Sequence, residues 1–146
     1  MKIGIACDHR GFKLKEFLKD NLKEYEIVDF GTFSTDSVDY PDYALKLCTK
    51  IVEKEIEYGI AICGSGIGIS IACNKVNGIR CARVVDREDV IATRNDNDAN
   101  VIALSERVNN NLALELVKLF INTPTSQEEK HVRRRNKLTE IENNVR

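Results

Sequence analysis

Long apolar runs are missing from this chain. No stretch approaches the ~20 residues that a membrane span needs, so no span is expected. A surplus of one charge sign is missing too: 22 Lys and Arg face 23 Asp and Glu, for a formal net charge of −1. That balance argues against nucleic acid or an anionic membrane as partner. The five cysteines, Cys7, Cys48, Cys63, Cys73 and Cys81, include no C-x-x-C pair. An odd number without paired spacing points to reduced thiols in a cytoplasmic setting, and away from a disulfide framework or a structural zinc. MKIGIACDHRGF, at the start, has one Lys and a short apolar run broken by Asp8, unlike a signal peptide. Repeats, low-complexity tracts and linkers are also absent, so residues 1–146 are expected to form one domain with a real core.

What is present is a regular alternation. Apolar β-rich runs at 2–7, 26–31, 58–63, 78–86 and 100–106 predict five strands. Helical spacing is predicted over 11–24, 43–55, 67–76, 87–96 and 110–122, with a loop at 33–42. After Thr123-Pro124, residues 127–143 predict an extra, mostly polar C-terminal helix. Strands separated by helical crossovers imply a five-stranded parallel sheet between helices, an α/β class chain in a three-layer α/β/α arrangement. Ligands of such sheets bind beyond the carboxyl ends of the strands. There the sequence places Cys7-Asp8-His9, Cys63-Gly64-Ser65-Gly66, Asp86 and Ser105-Glu106-Arg107.

ICGSGIGIS, residues 62–70, has three readings. Its G-x-G-x-G spacing departs from the dinucleotide fingerprint and follows the third strand rather than the first. It could be a tight strand-to-helix turn and nothing more. The favoured reading is an anion cradle, in which successive N–H groups and a helix N-terminus face one small negative charge. Cys63 stands at its edge, and a thiol at the positive end of a helix is expected to ionise more readily. A base beside a ring of N–H donors suits enolate chemistry. His9, beside Asp8 at a strand end, fits local capping as well as function. In EEKHVRRRNK the plain reading is a solvated helix face, yet Lys130, Arg134 and Lys137 share one side at i, i+4, i+7. Two or three cations so placed suit a phosphate dianion, with His131 among them, on this subunit's own site or a partner's.

ACDHRGF (6–12), VDYPDYA (38–44), GIAICGSGIGISIACNK (59–75), GIR (78–80) and NDANVIALSERV (97–108) together resemble ribose-5-phosphate isomerase type B. That family also takes in galactose-6-phosphate and allose-6-phosphate isomerases. The resemblance runs in order from the first strand to the last helix. It implies a Rossmann-like fold, no metal or cofactor, a small-molecule sugar phosphate as substrate, and a homodimer with shared active sites; neither nucleic acid nor membrane is an expected partner. Position by position, it makes Cys63 the base that moves a proton between C1 and C2. Gly64, Ser65, Gly66, Ile67 and Gly68 become the cradle for the enediolate, with Ser65 where Thr is more usual. Asp8 and His9 would contact the sugar, Asn97 would bind substrate, and Arg107, Lys130 and Arg134 would bind phosphate, with His131 close by. Lys130 keeps a charge but lacks the bidentate fork of arginine.

One departure matters for the chemistry. The family usually has His-Asn-Asp where this chain reads Asp96-Asn97-Asp98, and that His is the acid that opens the sugar ring. A carboxylate accepts a proton at neutral pH but hardly donates one. Ribulose 5-phosphate needs no ring opening, because phosphate blocks its O5. The expectation is isomerisation through an enediolate, slower from cyclic ribose 5-phosphate unless His9 or His131 supplies the acid. The alternatives are a six-carbon sugar phosphate as substrate, a silent sugar-phosphate-binding protein, and a thiol redox role for Cys63.

Overall fold

The structure is a computed structural model that describes residues 1–145. In chain order it runs β1 (Lys2–Cys7), α1 (Phe12–Asn21), β2 (Glu26–Asp29), α2 (Tyr40–Val52), β3 (Tyr58–Cys63) and α3 (Ile67–Asn74). There follow β4 (Cys81–Arg83), α4 (Arg87–Asn97), β5 (Val101–Ser105), α5 (Asn110–Asn122) and α6 (Glu129–Val145). All strand pairs are parallel, in the order β2-β1-β3-β5-β4. The chain leaves β1 toward one edge and returns to build the other from β3, so the order reverses between β1 and β3. That reversal opens a crevice at their carboxyl ends, where open α/β sheets bind ligands.

The two faces of the sheet differ in side-chain size, and this sets where Cys63 lies. Ile3, Ile5, Cys7, Ile60, Ile62, Ile102 and Leu104 point to the face covered by α1, α4 and α5. Ala6, Ala61, Cys63, Val101 and Ala103 point to the face covered by α2 and α3. Gly4 and Gly59 lie under α2, where an added Cβ would meet Leu47 at 2.5 and 3.0 Å. Small residues let α2 and α3 approach the backbone of the sheet closely, while each large aliphatic buried opposite contributes ~1.5–3 kcal/mol. Cys63 therefore points beneath the helix that its own loop begins.

The expected five strands and their helical crossovers are all present, with three shifts. Strand four was expected over 78–86 but pairs only over Cys81–Arg83. Its apolar tail stops pairing where Asp86 turns away to cap α4, accepting the Asp89 N–H at 2.9 Å. α2 begins at Tyr40 rather than 43, since Pro41 occupies a first-turn position that needs no N–H. The last helix was expected over 127–143 and packed on a partner subunit; α6 instead runs Glu129–Val145 and docks on its own chain through Arg135, which is buried and donates to the carbonyls of Asp96 and Ser126 at 3.3 and 2.9 Å.

Candidate active site

Asp8 follows β1 and is buried, with Oδ1 accepting from the N–H groups of Arg10 and Gly11 at 3.0 and 3.2 Å. Its carboxylate thus fixes the turn into α1. His9 next to it accepts the Val38 N–H on Nδ1 at 3.2 Å. The neutral ring then carries its proton on Nε2, leaving that edge as a donor. Across the crevice, Cys63 ends β3, and its sulfur accepts the Gly66 N–H at 3.2 Å. Gly66 has φ +76°, and a Cβ there would lie 2.9 Å from the backbone of Leu104 and Ser105. Only glycine combines that left-handed turn with that close approach.

α3 opens directly from this turn. Ser65 Oγ accepts the Ile67 N–H at 3.1 Å, so Ser65 organises the helix start, while its carbonyl accepts from Arg83 Nε at 3.1 Å. The N–H groups of Gly68 and Ile69 lie in the first turn, where a helix offers no partner of its own. With the helix dipole they form the positive end of a donor array. Gly68 permits close approach by Tyr40, whose ring would be 2.8 Å from an added Cβ. Gly64 differs from both, since a Cβ there would meet only ordinary contacts with Arg10. Ser105 Oγ donates to the Gly64 carbonyl at 2.7 Å and accepts from the Arg107 N–H and Nε at 3.0 and 3.1 Å. One hydroxyl thus ties the glycine loop to the arginine. Arg10 reaches over the loop to Glu106, with Nε 3.0 Å and one terminal nitrogen 2.6 Å from the same carboxylate oxygen.

The remaining expected residues are elsewhere. Asp96 and Asn97 end α4, where the Asn97 carbonyl accepts from Arg80, the residue before β4. That is the amino edge of the sheet, separated from Cys63 by the length of β3, roughly 17 Å. A cleft of about 260 Å³ there is lined by Asp96, Asn97, His131, Arg134, Arg135 and Leu138. His131 Nε2 lies 3.5 Å from Asp96 Oδ1. Lys130 is 3.7 Å from Glu128, and Lys137 lines a separate groove with Arg133 and Glu140 instead of joining Arg134. One chain therefore brings together Asp8, His9, Cys63, residues 64–68 and Arg107, and gathers Asp96, Asn97, His131 and Arg134 into a second group. It does not bring the two groups to each other.

Sequence reasoning missed Tyr40, Arg83 and Arg135. Tyr40 was assigned to a loop, although Pro41 marked a helix start. Arg135 was one of three consecutive arginines in a polar run, and nothing in that run distinguishes the buried one.

Comparison with known proteins bears on the chain as a whole. The profile of the Ribose/Galactose Isomerase family matches residues 3–138. Ribose-5-phosphate isomerase B of Escherichia coli (strain K12) is 41% identical over 123 residues, covering 83% of this chain and 80% of the relative. Among solved structures, Clostridium thermocellum ribose-5-phosphate isomerase B superposes with a TM-score of 0.96 at 45% identity over 100% of both chains. The Thermotoga maritima ribose 5-phosphate isomerase does so with a TM-score of 0.92 at 42% identity, over 95% of this chain and 97% of its own. The match spans the chain from the strand that precedes Asp8 to the helix that carries His131, and this chain belongs to the Ribose/Galactose Isomerase family.

Proposed function

We propose that this protein is an aldose–ketose isomerase that interconverts D-ribose 5-phosphate and D-ribulose 5-phosphate. The observation that carries this reading is the Cys63 sulfur held 3.2 Å from the Gly66 N–H, at the mouth of a helix whose Gly68 and Ile69 N–H groups have no partner within the helix. In the open-chain aldose, Cys63 as thiolate removes the C2 proton while the carbonyl oxygen at C1 takes up the negative charge. The donor array stabilises the enediolate so formed. The same sulfur returns the proton to C1, and the O2 proton passes to O1 as the C2 carbonyl forms, so the ketose carries a C1 hydroxyl and no proton is gained or lost. His9, donating through Nε2, holds a sugar hydroxyl. Arg107, Lys130 and Arg134 bind the phosphate. Ribose/ribulose chemistry is also what the similar proteins from Escherichia coli and Clostridium thermocellum are named for.

A homodimer completes the site. The separation of Asp96, Asn97 and Arg134 from Cys63 supports it, because a second copy can present its amino-edge group to the first copy's crevice. Exposed apolar residues beside each group, Ile67 and Ile71 on α3 and Leu138 and Ile141 on α6, offer the surface to bury. The chain then acts as one domain whose α6 holds its own α4 and meets the partner with its outer face. All five cysteines are free, which suits a reducing cytoplasm; among the described residues no helix is long and apolar enough to cross a membrane.

The test is isomerase activity on ribulose 5-phosphate, intact protein against Cys63→Ala. Loss of the base should lower kcat by about 1,000-fold or more. An intact protein inactive on this sugar but active on a six-carbon ketose phosphate would overturn the five-carbon assignment.

A further inference from the structure

A furanose ring opens when one proton leaves the anomeric hydroxyl and another reaches the ring oxygen. A lone carboxylate performs only the first half of that exchange. Asp96 is not alone: its Oδ1 faces His131 Nε2 at 3.5 Å, and both line the cleft with Asn97 and Arg134. His131 is also largely buried, with Nδ1 sealed from solvent and without a hydrogen-bond partner among the described residues. Of the two histidines, it alone has a carboxylate within ion-pair distance among the described residues; His9 has its Nδ1 committed to the Val38 N–H.

We infer that Asp96 and His131 act as one acid–base pair that opens the sugar ring, with the acid carried by His131. This rests on the isomerase reading above. The Asp96 carboxylate accepts the proton of the C1 hydroxyl as the electrons of that O–H bond form the C1 carbonyl. The bond from C1 to the ring oxygen breaks, and that oxygen takes a proton from the His131 imidazolium. Asp96 is then protonated and His131 neutral. Transfer of that proton from Asp96 to His131, across the short gap between them, restores the starting pair. No net proton is gained or lost, and no co-reactant is needed. An imidazolium is suited to the donor role because both of its ring nitrogens carry protons, whereas an ionised carboxylate is an acceptor only. Asn97 and the cations Arg134 and Arg135 line the same cleft, so phosphate and ring would be held by neighbouring side chains.

The test is His131→Gln, measured from D-ribose 5-phosphate over a range of enzyme concentrations and compared with the intact protein. Without an acid the variant draws only on aldehyde released by uncatalysed opening in water. Its rate should reach a ceiling, so that tenfold more enzyme raises it by less than about twofold, while the intact protein's rate keeps rising in proportion. Starting from ribulose 5-phosphate, the variant should release free aldehyde that a carbonyl trap detects before the ring closes. Adding Asp96→His to His131→Gln should abolish the ceiling. Rates that stay proportional to enzyme for His131→Gln, however low, overturn the inference and leave the isomerase reading standing, since a lost contact scales every rate alike. An intact protein inactive on ribulose 5-phosphate overturns the isomerase reading, and the inference with it.

Discussion

The Gly66 amide points at the Cys63 sulfur from 3.2 Å, and the backbone that aims it has φ +76°. This contact fixes where the sulfur sits relative to the donor loop, and a proton-transferring base depends on that placement. Gly66→Ala asks alanine to adopt a left-handed conformation, at a cost of about 1 kcal/mol, and drives its Cβ into the backbone of β5. The turn must open, and the amide must leave the sulfur. Expected outcomes are a Tm lowered by several degrees and a kcat lowered by about 100-fold or more. Thermal unfolding and steady-state kinetics on ribulose 5-phosphate check both.

A second prediction concerns acid. Burial pushes the Asp29 carboxyl up, but hydrogen bonds from Lys15 and Lys19 and from the Gly31 N–H outweigh it and hold the group below the ordinary carboxylate range. The unfolded chain therefore takes up a proton before the folded one as pH falls. The stabilisation is complete above the unfolded carboxylate's value near pH 4. It disappears as pH drops through the lower folded value. Asp29→Asn should flatten this part of the stability–pH curve between about pH 5 and pH 2. It also strips the fully buried Lys15 of its main counter-charge, for a loss of about 3 kcal/mol near neutrality. Urea midpoints across that range measure both effects.

Arg135 gives a third. Its guanidinium holds α6 to the last turn of α4 through the Asp96 carbonyl and to the segment before α6 through the Ser126 carbonyl. Arg135→Met keeps the bulk but leaves those carbonyls unpaired, costing about 2 kcal/mol. Because the Asp96 carbonyl is one anchor, the spacing between Asp96 and His131 should loosen too. Turnover of ribose 5-phosphate should fall further than turnover of ribulose 5-phosphate when both are assayed at high enzyme concentration.

Ser105→Ala supplies the fourth. The Ser105 hydroxyl serves the Gly64 carbonyl and the Arg107 side chain together. Without it Arg107 loses its orientation, and KM for the sugar phosphate should rise about tenfold, with a smaller change in kcat. Inorganic phosphate as a competitive inhibitor should weaken in parallel.

Much of the fold was legible because the informative strands are buried on both faces. β1, β3 and β5 read as continuous apolar runs, as parallel interior strands must. β4 was read too long: Val84 and Val85 have strand propensity, but at the sheet edge the cap made by Asp86 decides where pairing stops. Pro41 carried the true start of α2, outweighed by the polar residues around it. The crevice half of the site was legible because Asp8, His9 and Cys63 end predicted strands and the glycines follow at once. In the amino-edge half, Arg134 and His131 stood out in a basic helix run, while Asp96 and Asn97 were named through resemblance alone; Asp96 and His131 are 35 positions apart in sequence and meet where Arg135 holds α6 against α4. Tyr40 was invisible for a related reason: its place above Gly68 depends on how closely α2 approaches α3.

Half-sites at opposite ends of one polypeptide have a genetic consequence. In the homodimer proposed above, a chain ruined at Cys63 and another ruined at Arg134 would each form pairs with no intact site. When both are made in one cell, a mixed pair assembles one site from two damaged halves and another from two sound ones. Random mixing makes half of the pairs mixed, so about a quarter of the full activity should return. Two null alleles would then complement each other whenever their lesions fall at opposite edges of the sheet, and fail to do so when both fall at the same edge.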